Sequence, residues 1–210
     1  MLESVDQIIK TQGVNVHPEI QTIIFDIGNV LVDFRWKEFL NDYSYPPEIH
    51  ERLAKAIFQN SLWWELDRHA LPKQEMFDRF IGNDPELSAE ITECLLHLGN
   101  TIEVFPYTIP LIERLKSEGF RVYFLSNYSK YLYDLTEEKL HSFTHLMDGG
   151  IYSYETGRSK PDPKFYQLFL DRFALEPASC LFLDDKSANV EAAKKLSIHA
   201  IEFHLPRANA

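Results

Sequence analysis

The chain has 210 residues, 45% of them hydrophobic and 25% charged, which suits a globular protein able to bury one core and a modest insertion. Its formal net charge of −11, from 21 Lys and Arg against 32 Asp and Glu, repels a phosphate backbone, and no local basic patch offsets it. No apolar run approaches the roughly 20 residues that span a bilayer, and the first 22 residues lack the pattern of a signal peptide. The expected partner is therefore a small molecule rather than nucleic acid or membrane, and the expected location is cytoplasmic. The oligomeric state is not legible.

Residues 1–21 read as an N-terminal extension with a short helix around Val5 to Ile9. Thr22 to Phe25 form an apolar, β-branched run too short for a helix and closed by Asp26-Ile27-Gly28-Asn29, a buried strand leading into a loop. From about Arg35 to Asn100 the period changes. Ile49, Leu53 and Ile57, then Phe77 and Phe80-Ile81, then Leu87, Ile91, Leu95 and Leu98 recur at helical spacing. Breaks at Pro46-Pro47, Leu71-Pro72 and Asn83-Asp84-Pro85 separate these helices, so the segment is predicted to be an all-helical insertion.

Beyond Val104 strands and helices alternate. A helix through Leu111, Ile112 and Leu115 ends at Gly119, a natural C′ residue. Arg121 to Leu125 form a strand and Gly150 to Tyr152 a weaker one. A helix over Pro163 to Phe173 precedes the strand Cys180 to Leu183. A helix carrying Val190, Ala193 and Leu196 precedes a last strand at His199 to Phe203. This alternation predicts an α/β fold, a Rossmann-like parallel sheet covered by helices on both faces. The predicted division is a core of 22–34 and 101–210 and a helical insertion of 35–100.

In such sheets reactive groups lie beyond the carboxyl ends of the strands. Asp26, Ser126 and Asp184-Asp185 all fall there. Asp26 reads either as an acid that opens a loop by accepting backbone hydrogen bonds or as a nucleophile, since a carboxylate can attack phosphorus. Asp184 and Asp185 read either as helix-capping acids or as ligands of a hard dication, which relieves the repulsion of two adjacent carboxylates. Mg²⁺ suits so few carboxylates. Asn189, four residues after Asp185, would face the same cleft. Ser126-Asn127 alone is a common turn, and Lys160 alone a loop lysine. Cys94 and Cys180 read as buried thiols without metal or redox spacing.

Together, Ile23-Ile24-Phe25-Asp26, Phe124-Leu125-Ser126-Asn127, Lys160-Pro161-Asp162 and Leu181-Phe182-Leu183-Asp184-Asp185 resemble the four motifs of the haloacid dehalogenase-like hydrolase superfamily. Most of its members are magnesium-dependent phosphatases. The resemblance runs from Thr22 to Phe203, and a helical insertion between the first two motifs matches the subfamily whose cap sets specificity. It implies Asp26 as the nucleophile that becomes an aspartyl-phosphate, and Ser126 and Asn127 as holders of the phosphoryl oxygens. It implies Lys160 as the charge-neutralising cation, and Asp26, the Gly28 carbonyl and Asp185 as Mg²⁺ ligands, with Asp184 in or just behind that set. In Trp63-Trp64-Glu65-Leu66-Asp67-Arg68-His69, Glu65, Asp67, Arg68 and His69 are candidates to touch substrate, while the tryptophans could instead be packing.

One residue departs from the pattern. Gly28 stands where phosphatases of this family carry a second Asp, which protonates the leaving oxygen and is worth roughly 10²–10⁴ in rate. Asp-Ile-Gly-Asn-Val resembles the bacterial α-glucose-1-phosphate phosphatase branch, which retains this arrangement. An anomeric leaving group needs less acid help, so the expected substrate is a small phosphorylated metabolite, a sugar phosphate and in particular a sugar 1-phosphate. The rival readings are a metal-free haloacid dehalogenase, although that branch usually carries an aromatic residue at the position of Gly28, and a non-catalytic phospho-ligand-binding member of the same fold.

Overall fold

The computed structural model describes residues 19–69 and 71–203, so the expected extension, including its short helix, lies outside it up to residue 18. In chain order the elements are β1 (Thr22–Phe25), β2 (Val32–Phe34), α1 (Trp36–Asn41), α2 (Pro47–Leu53), α3 (Ser61–Leu66), α4 (Lys73–Asn83), α5 (Ser88–Leu96) and β3 (Ile102–Val104). They continue with α6 (Thr108–Ser117), β4 (Arg121–Ser126), α7 (Lys130–Thr144), β5 (Gly149–Tyr152), α8 (Pro163–Phe173), β6 (Cys180–Asp184), α9 (Ser187–Lys194) and β7 (His199–Glu202).

Five strands form one sheet in the order β5-β4-β1-β6-β7, and every pairing is parallel. The register aligns Phe25 with Phe124 and with Leu183, so the ends of the three central strands arrive together. Side-chain alternation separates the two faces. Ile23, Phe25, Val122, Phe124, Leu181 and Leu183 pack with Leu111 and Ile112 of α6 and Leu140 and Phe143 of α7. Ile24, Tyr123, Leu125, Cys180 and Phe182 pack on the other side with Phe165, Tyr166 and Phe169 of α8 and Ala193 of α9. Both faces are covered, as a continuous apolar strand requires.

Local chemistry sets the element ends. Gly119 follows α6 at φ +90°, a conformation glycine adopts without Cβ strain. Asp162 caps α8, its side chain accepting from the Lys164 N–H at 3.0 Å, with Pro163 at the first helical position. At Gly150 an added Cβ would sit 2.2 Å from the Phe124 ring, so glycine is what lets β5 close on β4.

Helices α1 to α5, with a π-helical turn at Ala54–Phe58, form the inserted cap between β2 and β3. Those two strands pair antiparallel, Val32 with Val104 and Phe34 with Ile102, which the sequence reading did not foresee. Helix α7 is likewise beyond the expected elements; its buried Leu132, Thr136, Leu140 and Phe143 sit on one helical face. Cys94 and Cys180 are buried and free, in agreement with expectation. Among the described residues no helix is long and apolar enough to cross a membrane.

Candidate active site

Four chain segments meet at the carboxyl end of the sheet. The first is the loop after β1. Asp26 donates its backbone N–H to the Leu183 carbonyl at 2.8 Å, tying it to β6, and its Oδ1 accepts from the Ile27 N–H at 2.7 Å. The loop then turns tightly. Leu31 and Val32 donate to the Ile27 carbonyl at 2.9 and 3.0 Å, with Asn29 left-handed at φ 57°. Thr108 donates its hydroxyl to the Leu31 carbonyl at 2.5 Å and Tyr107 donates to that of Val30, so the start of α6 fixes the turn.

Lys160 reaches the same point from the loop before α8. Its ammonium has no exposed surface and lies 2.8 Å from Asp26 Oδ1 and 2.7 Å from Asp184 Oδ2. Burial alone would push this ammonium down, but Asp184 and Asp26 outweigh it and hold it above its ordinary value. Asp26 is raised to about 7, by burial first and by Asp184 and Asp185 as well, against the opposing pull of Lys160.

Carboxylate oxygens of Asp26, Asp184 and Asp185 lie within 4.8 Å of one another. Three carboxylates face one buried ammonium, an excess of negative charge that a hard dication would offset. The donor set therefore fits Mg²⁺. The oxygens differ in what they have left to give. Asp184 Oδ1 accepts from the Lys186 N–H at 2.8 Å and from Asn189 Nδ2 at 2.9 Å, and Oδ2 from Lys160 at 2.7 Å and Asn189 at 3.0 Å. Asp185 Oδ2 accepts from Asn29 Nδ2 at 2.9 Å. Among the described residues, Asp185 Oδ1 and Asp26 Oδ2 have no such partner.

A cavity of about 500 Å³ opens above this cluster. Asp26, Gly28, Asn29, Asn127, Asp185 and Asn189 line its core side. Phe34, Trp36, Phe58, Trp63, Trp64 and Asp67 line it from the β2 strand and the cap. Phe34 stacks on Trp63 with centroids 5.6 Å apart, and Trp36 on Phe58 at 5.1 Å. An added Cβ at Gly28 would meet nothing within 4 Å, so the residue type here is not dictated by packing.

The structure thus brings Asp26, Gly28, Asn127 and Asp185 to the cavity, with Lys160 and Asp184 buried against Asp26. Asn127 spends its side chain on the Lys160 backbone, accepting from its N–H at 2.8 Å and donating to its carbonyl at 2.9 Å. Ser126 is 1% exposed and its hydroxyl has no hydrogen-bond partner among the described residues. Of the four cap candidates, Asp67 alone lines this cavity. Glu65 is paired with Arg79 at 2.6 and 2.9 Å, Arg68 is exposed, and His69 lines a different recess with Leu66, Leu71 and Met76. The reason is helical geometry, since Asp67 lies one turn after Trp63, on the face that meets the core, and Glu65 does not.

Two contributors went unread in the sequence. Asn29 holds Asp185 from the turn after β1, and Lys186 lines the cavity with its ammonium 5.0 Å from the Trp64 ring centre. Asn29 sits within the first motif and was open to notice. The Lys186 and Trp64 pairing joins core to cap across 122 positions and has no local signal.

The chain is 26% identical over 144 residues to flavin mononucleotide hydrolase 1 of Arabidopsis thaliana, a match covering 68% of this chain and 56% of that protein. The chain thus spans little more than half of that relative's length. It is 26% identical over 196 residues to D-ribitol-5-phosphate phosphatase of Bacteroides thetaiotaomicron, covering 87% of this chain and 91% of that one. In three dimensions it superposes on a HAD family enzyme of Bacteroides thetaiotaomicron, solved with magnesium and inorganic phosphate, at a TM-score of 0.68. That match covers 91% and 96% of the two chains at 17% identity, a likeness of fold. The sequence model of the haloacid dehalogenase-like hydrolases matches residues 20–196, so most of the chain, including all four site segments, answers to one family. The protein belongs to the haloacid dehalogenase-like hydrolases.

Proposed function

We propose that the protein is a magnesium-dependent phosphatase of a small phosphorylated metabolite, acting through an aspartyl-phosphate on Asp26. The observation that carries this reading is the triad of Asp26, Lys160 and Asp184, with a buried lysine bridging two carboxylates beside a third, Asp185. Asp26 Oδ2, free of protein partners among the described residues, is the attacking oxygen, and Lys160 steadies Asp26 through Oδ1. Asp26, the Gly28 carbonyl and Asp185 would hold Mg²⁺, which when bound offsets negative charge on the phosphoryl oxygens. Asp184 is fully buried, does not line the cavity and accepts from Lys160 and Asn189, so its part is to orient both from behind. Asn127 lines the phosphoryl end of the cavity, while Ser126 is buried and outside its lining. The cap, taken as 35–100, excludes water and selects the alcohol.

Two substrate classes are supported by different observations. Gly28 favours a sugar phosphate with a good leaving group, a sugar 1-phosphate above others. The aromatic walls of Phe34, Trp36, Phe58 and Trp63 favour an alcohol with a planar or apolar face, in keeping with the flavin named for the Arabidopsis relative.

Phosphate release from a panel holding glucose 1-phosphate, glucose 6-phosphate, ribitol 5-phosphate and flavin mononucleotide tests the reading, with Mg²⁺ and with chelator. Release is expected only with Mg²⁺ and is expected to vanish in Asp26→Asn. Halide release from 2-chloropropionate in chelator, with no phosphate release anywhere, would instead make the protein a dehalogenase. Binding of phosphorylated ligands without turnover would make it a binding member of the fold.

A further inference from the structure

The core lacks an acid at Gly28, yet the cavity holds a carboxyl group that none of the roles above employs. Asp67 ends α3 on the cap side, is 8% exposed, and lines the same cavity as Asp26. Among the described residues no hydrogen bond or ion pair engages its carboxyl group. A buried, unpaired acid is costly, because burial favours the neutral form and supplies no compensating donor. Such a group in the cavity that holds Asp26 is placed to give and take a proton.

We propose that Asp67, carried by the cap, is the general acid and base that the core does not supply at Gly28. The proposal rests on the phosphatase reading above. In the first step Asp26 Oδ2 bonds phosphorus while the bond from phosphorus to the leaving oxygen breaks, and the Asp67 proton passes to that oxygen as the alcohol departs. In the second step a water oxygen bonds phosphorus and the bond to Asp26 breaks. The water proton returns to Asp67, so phosphate leaves and both aspartates end as they began.

The surroundings agree with this assignment. Burial first, with Asp26 adding to it, raises the Asp67 carboxyl to about 7 against the pull of Lys186, Lys160 and Arg68. An acid so placed is protonated near neutral pH and can still ionise, the condition for shuttling a proton. Because Asp67 rides on the cap, the site is complete only when cap and core are together. An open enzyme would not hydrolyse its phospho-aspartate efficiently.

The test uses the full-length enzyme with Mg²⁺ and two esters of matched shape, 4-nitrophenyl phosphate and 4-nitrobenzyl phosphate. Nitrophenoxide leaves without a proton, whereas the benzyl alkoxide needs one. In Asp67→Asn, single-turnover phosphorylation of Asp26 should slow by about 10²–10⁴ with the benzyl ester and by less than about tenfold with the aryl ester. With the aryl ester the variant should also release a burst of nitrophenol and accumulate phospho-Asp26, seen as added mass on the intact protein. Equal slowing on both esters with no accumulation would assign Asp67 a structural role and overturn the proposal, leaving the phosphatase reading intact. A wild type that forms no phospho-Asp26 from either ester would overturn both. Should Asp67→Asn fail to fold, Asp67→Glu carries the test. With its carboxyl displaced by one methylene, it should slow the first step more for the benzyl ester than for the aryl ester, and equal slowing of both would overturn the proposal.

Discussion

The side chain of Asn127 forms a two-way hydrogen-bond pair with the backbone of Lys160, at 2.8 and 2.9 Å. The residue just after β4 thereby holds the loop that delivers the buried ammonium. Asn127→Ala would leave the Lys160 N–H and carbonyl without partners, at a cost of about 1–3 kcal/mol. Since a displacement near 1 Å can cost about 10² in rate, kcat should fall by about that factor while KM moves less. Steady-state kinetics beside urea denaturation would separate the two effects.

Removing the ammonium itself should be worse for stability. Lys160→Met leaves Asp26, Asp184 and Asp185 facing one another without a cation, and breaking a buried pair typically costs about 3–5 kcal/mol. Glu65→Gln, which breaks a half-exposed pair with Arg79, should cost under about 1 kcal/mol. Urea melts in chelator, where no metal compensates, make the comparison. Equal losses would contradict it.

Magnesium should stabilise the fold by mass action, by about 2.7 kcal/mol at a hundred times its Kd. Asp185→Asn, which removes the carboxylate with an oxygen to spare, should abolish that stabilisation. Thermal melts with and without Mg²⁺ report it without any substrate. An unchanged magnesium shift in Asp185→Asn would place the ion elsewhere.

Stability should also fall as pH rises, and Asp67 should be one cause. Its carboxyl is raised to about 7 in the fold, whereas in the unfolded chain it ionises near an ordinary 3.8. Between those values the folded state binds more protons, so stability decreases with pH through that window and levels off above it. Asp67→Asn removes the loss and should gain about 2–4 kcal/mol at pH 8, and little at pH 4. Denaturant melts of both proteins at the two pH values test the sign.

Space at Gly28 makes a gain-of-function experiment possible. A Cβ there meets nothing within 4 Å, so Gly28→Asp should fold. Placed in the Asp67→Asn background, it should recover 4-nitrobenzyl phosphate cleavage by at least about tenfold, since a core acid then replaces the cap acid. Recovery equally large on 4-nitrophenyl phosphate would mean that the substitution acts through something other than proton transfer.

Much of this site was legible because β1, β4 and β6 are apolar runs that stop abruptly at Asp26, Ser126 and Asp184. A buried strand must be apolar, so the first polar residue marks where it emerges. Likewise the cap helices announced themselves through Leu53, Ile57, Ile91 and Leu95, all of which are buried. The ladder of β2 and β3 stayed hidden because each strand has three residues, too few to display a period. Its partners are about seventy positions apart. Which of Glu65, Asp67, Arg68 and His69 would face the cavity depended on how α3 is rotated against the core, and spacing alone does not fix that angle. The burial of Asp67 without a partner is a property of the assembled tertiary structure.

That short ladder has a mechanical consequence. The chain crosses between core and cap twice, through β2 and β3, and the pairing of Val32 with Val104 and Phe34 with Ile102 welds both crossings into one ribbon. Two separate tethers would let the cap swivel. The paired ribbon keeps both crossings side by side, and the cap is seated on the core as well through Tyr131, whose hydroxyl donates to the Leu95 carbonyl and whose ring meets Phe77. Trp64 and Asp67, both lining the cavity from the cap, are thereby fixed as one unit, so an aromatic wall and a carboxyl are presented together to Asp26 and Asp185.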